Sequence, residues 1–181
     1  MKNNKTIEIT KIGIITALLC IIAPLSIPIG VIPISFTNLI IYLAIFALGS
    51  KKGLISYLVY LVIGFIGMPV FSGFSGGPGK LFGPTGGYLF GFIFIFIISG
   101  LFIDKNYKDK KNTIIGMILG TAVCYFFGTF WLNFQTNMGL QAAFMAGVIP
   151  FIPGDLIKIV IAAFAGEKIR EGLIKNNLIL E

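Results

Sequence analysis

Phe151-Ile152-Pro153-Gly154-Asp155-Leu156-Ile157-Lys158 places an acid and a base three residues apart at the head of an apolar run, Ile159 to Ala165. Proline followed by glycine and an acid reads as a helix start. Proline fits the first turn because its missing N–H would have no partner there, and the positive end of the helix dipole favours an acid. Asp155 and Lys158, at i and i+3, then share a face. In apolar surroundings they form one polar site, and the rest of the chain decides how apolar those surroundings are.

Of 181 residues, 56% are hydrophobic and only 12% charged, with a mean hydropathy of +0.96. A soluble domain carries about 25% charged residues, so there is too little polar surface here to cover one. Several apolar runs approach the ~20 residues that cross a bilayer core. They are continuous rather than alternating, which favours helices over a barrel. The expectation is an all-α integral membrane protein, a single membrane domain over residues 1–181. Six transmembrane helices are expected near Ile9–Ala23, Pro33–Leu48, Gly53–Gly67, Thr85–Phe102, Thr113–Leu132 and Pro153–Lys168. Lysines before Ile12–Ile22 imitate a signal peptide, but no small-x-small cleavage site follows, so the segment reads as a retained first helix.

The net charge of +7 reads as loop lysines beside a membrane, not as a nucleic-acid surface. Lys2, Lys5 and Lys11 precede the first span. Lys51 and Lys52 separate the second and third, Lys105 to Lys111 the fourth and fifth, and Lys168, Arg170 and Lys175 follow the sixth. With six alternating helices all of these fall on one side, which the positive-inside rule makes cytoplasmic, both termini included. The other side keeps Lys80, with Lys158 just inside a helix. All eight prolines lie in or beside connections on that outer side.

Catalytic readings fail on their residues. Gly77, Gly79 and Gly83 miss the GxGxxG spacing, and Lys80 misses the P-loop pattern because Phe74 and Leu81 stand where Gly and Ser/Thr belong. Gly73-Phe74-Ser75-Gly76 imitates the serine motif of intramembrane proteases, but the chain contains no histidine, and Ser75 reads as a small loop residue. Cys20 and Cys124 sit in apolar runs as buried thiols, and no metal site is expected.

What remains is recognition. Asp155 offers acceptors and Lys158 donors, which suits a ligand with adjacent N–H and carbonyl groups, such as a cyclic urea. The alternative is a pair that only neutralises itself. Thr85 reads as the cap of the fourth span, with Gly86 and Gly87 leaving room against the backbone. Tyr88 is either a ligand contact or part of an interfacial aromatic belt. Phe36, Phe71, Phe82, Trp131 and Phe151 are aromatics available to pack a ring, and Lys80 is the outer cation for an anionic tail.

Gly67-Met68-Pro69-Val70-Phe71, Gly83-Pro84-Thr85-Gly86-Gly87-Tyr88-Leu89 and Pro150 to Lys158 together resemble the BioY family, the substrate-binding S components of energy-coupling factor (ECF) biotin transporters, over essentially the whole chain. The resemblance implies a six-helix S-component fold with an outward-facing biotin pocket in the cell membrane. Its partners would be a transmembrane coupling subunit and two ATP-binding cassette subunits, which use the ATP, with no cofactor on this chain. Asp155 and Lys158 carry over as the acid and lysine of the sixth helix, and Thr85, Gly86, Gly87 and Tyr88 as the glycine-rich helix start. Where family members carry a glutamine, this chain has Thr37 and Asn38; Asn38 and Phe36 join the expected ligand contacts. Gly13 and Ala17 form a small-xxx-small pair on the first helix, read as docking the coupling subunit or as ordinary internal packing. An S component for another vitamin, a serine hydrolase using Ser75 and a purely structural membrane protein are the competing readings.

Overall fold

A computed structural model describes residues 2–28, 31–176 and 178–179. The side chain of Lys2, one of the basic residues read as flanking the first span, lies outside the described residues. In chain order the elements are α1 (Lys2–Ile22), β1 (Ser26–Ile27), β2 (Ile34–Ser35), α2 (Thr37–Leu48), α3 (Ser50–Phe65), α4 (Pro78–Leu81), α5 (Gly86–Ile103), α6 (Lys110–Thr136), α7 (Leu140–Gly147) and α8 (Ile152–Lys175).

Each expected span contains a helix, and two short helices and a hairpin occupy connections read as irregular. The second span was expected from Pro33, but Ile34 and Ser35 pair antiparallel with Ile27 and Ser26, so the helix starts only at Thr37. Pro33 biases the residue before it away from helix, which the hydropathy pattern does not register. The connection after the fifth span contains α7, an apolar helix bent 46° from α8 at the turn before Phe151.

By length and hydropathy α5 and α6 are each able to cross a membrane, and α7 with α8 passes as one bent span. Helix α2 has 12 residues and is therefore about 18 Å long.

Helix ends are set by local chemistry. The Asp109 side chain accepts from the Asn112 N–H at 3.2 Å and caps α6. Asn137 closes α6 in the left-handed region (φ 50). Gly49 (φ 79) turns α2 into α3 with no residue to spare, and the Asp104 carboxylate, at the end of α5, accepts from the Ser50 N–H at 2.9 Å. Thr85 stands at the α5 N-cap, yet its side chain makes no capping bond, contrary to the capping role expected of it. Its backbone is already helical (φ −87, ψ −8), which turns the hydroxyl away from the first-turn amides.

The core is aromatic. Tyr42, Tyr57, Tyr60, Phe46, Phe71 and Phe96 are fully buried, and the tyrosine hydroxyls find partners: Tyr57 donates to the Leu89 carbonyl at 2.7 Å and Tyr60 to that of Val70 at 3.1 Å, as buried phenols require. The glycine-rich stretch folds on itself. Phe71 and Ser75 form a two-way backbone bridge around Gly73 and Phe74, both at positive φ. Ser75 donates to the Ser72 carbonyl at 2.8 Å, a turn-stabilising role.

Charges gather at one end of the bundle. Lys52 pairs with Glu8, Lys110 with Glu167 at 3.2 Å, and Arg170 lies 3.7 Å from Asp104. These contacts bring the start of α1, the α2–α3 turn, the α5–α6 connection and the end of α8 to this lysine-rich end. The hairpin, α4, α7 and the start of α8 lie at the other.

Candidate functional site

Helix α8 begins with Pro153 in its first turn, as its sequence requires, and so places Asp155 and Lys158 one turn inside. Both are buried, at 8% and 7% exposure. Removing charge from water is costly unless hydrogen bonds replace the solvent, and here they do. Lys158 Nζ donates to Asp155 Oδ1 at 2.9 Å, to the Ser35 carbonyl at 2.7 Å and to Asn38 Oδ1 at 3.1 Å. An ammonium has three N–H bonds, and these three acceptors use them all. Asp155 Oδ2 accepts from the Tyr125 hydroxyl at 2.6 Å. The cluster ties α8 to β2, to the first turn of α2 and to the middle of α6.

The geometry redistributes the roles expected of the pair. Lys158 has no donor left for a ligand; it pairs with Asp155 and fixes Asn38. Because an ammonium only donates, the Asn38 amide must turn its oxygen to Nζ. Its NH2 then has no protein acceptor among the described residues. A carboxylate accepts at about four positions, so Asp155 retains acceptor capacity after Lys158 and Tyr125 are served.

Asp155, Lys158, Asn38, Thr85, Tyr88 and Phe151 line a common cavity, six of the thirteen residues named for the ligand. The others stand outside its lining. Gly86 and Gly87 give close helix approach instead: a Cβ on Gly86 would sit 1.9 Å from the Leu81 carbonyl, and one on Gly87 would sit 2.2 Å from Trp131 Cβ. Trp131 is the partner of that approach and donates from Nε1 to the Gly83 carbonyl at 2.9 Å. Phe36 is half-exposed, its ring centroid 6.0 Å from Lys158 Nζ. Lys80 lies on α4, where burial lowers its pKa below the ordinary lysine value. Tyr88 is held rather than free: its hydroxyl donates to the Gly147 carbonyl at 3.1 Å, and its ring fills the space over Gly128. That argues against a belt tyrosine facing the interface.

Sequence reasoning missed Tyr125, Thr121, Tyr60, Phe92 and Ser72, which also line the cavity. Thr121 and Tyr125 are four apart in the mostly apolar middle of α6, and Gly120, Cys124 and Gly128 mark the face of that helix turned to α5. That spacing was available as a signal. Ser72 comes from the glycine-rich stretch, whose fold no periodicity announces. On α1, Gly13 and Ala17 are exposed, and a Cβ on Gly13 would meet nothing within 4 Å. The internal-packing reading of that pair is therefore wrong.

Apolar helices around a cavity with a buried, hydrogen-bonded acid define a class: an all-helical protein of membrane type with a partly polar cavity among its helices. Comparison with known proteins narrows it. The model of the BioY family matches residues 1–175, and the chain belongs to the BioY family. The biotin transporter BioY of Thermotoga maritima is 37% identical over 164 residues, covering 91% of this chain and 96% of that one. The biotin transporter BioY2 of Lactococcus lactis is 34% identical over 178 residues, covering 98% and 97%. The crystal structure of the S component for biotin from an ECF-type ABC transporter superposes with a TM-score of 0.86 at 32% identity, covering 94% of both chains.

Proposed function

We propose that this protein is the biotin-binding S component of an ECF-type transporter, not an enzyme. It would capture the vitamin outside the cell and deliver it inward with an ATP-driven module. The observation that carries the reading is Asp155: a carboxyl group held in place by Lys158 and Tyr125, beside an Asn38 amide whose NH2 has no protein acceptor among the described residues. In a cyclic urea each N–H lies on the same side as the carbonyl, so one edge presents a donor next to an acceptor. Asp155 accepts from the N–H and Asn38 donates to the carbonyl. Phe92 and Tyr60 supply apolar wall for the fused ring, and Thr85 and Ser72 supply hydroxyls for the polar end of the ligand.

The finer assignments rest on the same reading. One membrane domain would cross the cell membrane six times, α2 as a short span. The gathering of ion pairs at one end of the bundle supports a cytoplasmic lysine-rich end with both termini there. The partners are a transmembrane coupling subunit and two ATP-binding cassette subunits. These use the ATP, so this chain needs no cofactor and no metal, and it binds no nucleic acid. Exposed Gly13 and Ala17 on α1 give a partner helix a close approach and are assigned to the coupling subunit.

Titration of the purified protein with biotin tests the reading. Saturable binding is expected, lost by at least about 100-fold in Asp155→Asn, as for a hydrogen bond to a charged group plus the mismatch it leaves. No saturable binding of biotin by the unmodified protein, or Asp155→Asn binding unchanged, would refute the site.

A further inference from the structure

At the lysine-rich end a second cavity opens between the start of α1, the α2–α3 turn and the end of α8. Lys11, Lys52 and Arg170 line it against a single acid, Glu8. Arg170 is the unusual member. Its side chain is only 13% exposed, yet Nε and Nη1 are buried and make no hydrogen bond. The nearest acid, Asp104, lies 3.7 Å from Nη1, beyond hydrogen-bond length, and its other oxygen is taken by the Ser50 N–H. The Tyr107 ring covers one face of the guanidinium, 4.7 Å from Cζ. Buried guanidinium nitrogens without partners are costly and rare. The lysines are less committed: Lys52 meets Glu8 and Lys11 donates to the Leu178 carbonyl, each through one of three N–H bonds.

We infer that this cavity is a binding site for a phosphate group, carried by an anionic lipid. A tetrahedral oxyanion matches the guanidinium fork and tolerates two flanking ammonium groups. A lipid is favoured over the free ion by the cavity's apolar border. Ile7, Leu178 and Ile179 form part of its lining, and Ile7, Ile14 and Ile21 expose apolar surface along one face of α1, the path acyl chains would follow. Basic pockets between helices at a membrane surface take anionic headgroups in this way. The inference shares the membrane placement proposed above but not the identity of the transported ligand.

The test is thermal unfolding of the detergent-solubilised full chain, titrated with short-chain phosphatidylglycerol, short-chain phosphatidylcholine, or inorganic phosphate at matched ionic strength. Phosphatidylglycerol is expected to raise the midpoint saturably and phosphatidylcholine to leave it near the lipid-free value. Arg170→Gln should weaken the apparent affinity about tenfold or more, as for loss of charge-assisted hydrogen bonds. Lys11→Gln should weaken it about fivefold, as for one basic contact to an anionic lipid, and it carries the test if Arg170→Gln fails to fold. Lys105→Gln and Lys175→Gln, at the same end but outside the cavity lining, should change nothing. An equal response to inorganic phosphate keeps the anion site but overturns the lipid. Equal responses to both lipids, or an effect of Lys105→Gln as large as that of Lys11→Gln, overturn the site. Biotin titration is a separate readout, so loss of one result leaves the other standing.

Discussion

Two helix interfaces in this protein are built on opposite principles. Helices α5 and α6 meet through backbone: a Cβ on Gly91 would lie 2.8 Å from Cys124 Sγ, and one on Gly120 would lie 2.6 Å from Ser99 Oγ and 3.2 Å from Ile95 Cα. Helices α2 and α8 also meet through a glycine at one end, Gly166 against the Phe46 ring. At the other end they meet through Lys158, Asn38 and Asp155. The first interface is a glycine-mediated close approach that holds no charge, although its margin turns Tyr88, Phe92, Thr121 and Tyr125 to the cavity. The second holds charge that pairs internally and still leaves acceptor and donor capacity facing a cavity. A rigid pair thus supports an addressable one, and substitutions in the two should separate folding from binding.

The largest effect is expected from Lys158→Met. Removing one partner leaves Asp155 buried without a countercharge, which costs about 3–5 kcal/mol of stability, and biotin binding should vanish with it. Asp155→Leu combined with Lys158→Met should recover most of the thermal stability, because apolar residues replace a buried ion pair at little or no cost. It should not recover binding. Recovery of binding in the double variant, followed by equilibrium titration, would reduce the cluster to a helix staple.

Gly120→Val tests the other interface. The added side chain meets Ser99 and the Ile95 backbone, and overpacking of this kind costs about 1–3 kcal/mol. The unfolding midpoint should fall while the folded fraction binds biotin with unchanged affinity. A matching loss of affinity would mean that α5 and α6 move when ligand binds, and the division between the two interfaces would fail.

How much of this was legible beforehand differs between the interfaces. The helical, membrane-type class and the buried Asp155–Lys158 pairing were readable because charge in an apolar chain is conspicuous and a proline fixed the register of α8. Thr85 and Tyr88 line the cavity, whereas the glycines between them serve close helix approach and stand outside its lining. Gly87 yields its space to Trp131, and no pattern within one helix says which neighbour will fill a gap. Tyr125 was overlooked for the complementary reason: its spacing from Thr121 was a signal, but a tyrosine in an apolar run reads as packing until another helix brings a carboxylate to its hydroxyl. The direct-donor role expected of Lys158 failed on a backbone carbonyl, that of Ser35 in a strand the sequence did not announce.

Tyr125→Phe sharpens the binding interface further. It removes the hydroxyl that donates to Asp155 Oδ2 at 2.6 Å and leaves the ring in place. A hydrogen bond to a charged group contributes about 1.5–3 kcal/mol, so biotin affinity should fall by at least about tenfold, with the fold kept. Unchanged affinity would show that Lys158 alone fixes the carboxylate.

The smallest effect belongs to the lysine-rich end, where Glu8 pairs with Lys52 at the surface. The hydrogen bond from Lys52, and then its charge, lower the Glu8 pKa below 4.5. A carboxylate whose pKa is lowered by folding stabilises the protein above its unfolded value and loses that contribution as pH falls through the lowered folded value. The wild-type protein should therefore lose slightly more thermal stability than Glu8→Gln between neutral pH and pH values below 4.5, and the difference should shrink with added salt. Both partners are substantially solvated, so screening keeps the term small, in contrast to the pair in α8, where the same charges are withdrawn from solvent. A large, salt-insensitive difference would mean that this surface pair is shielded as the Asp155–Lys158 pair is, and that the two ends of the bundle are not distinguished by how they treat charge.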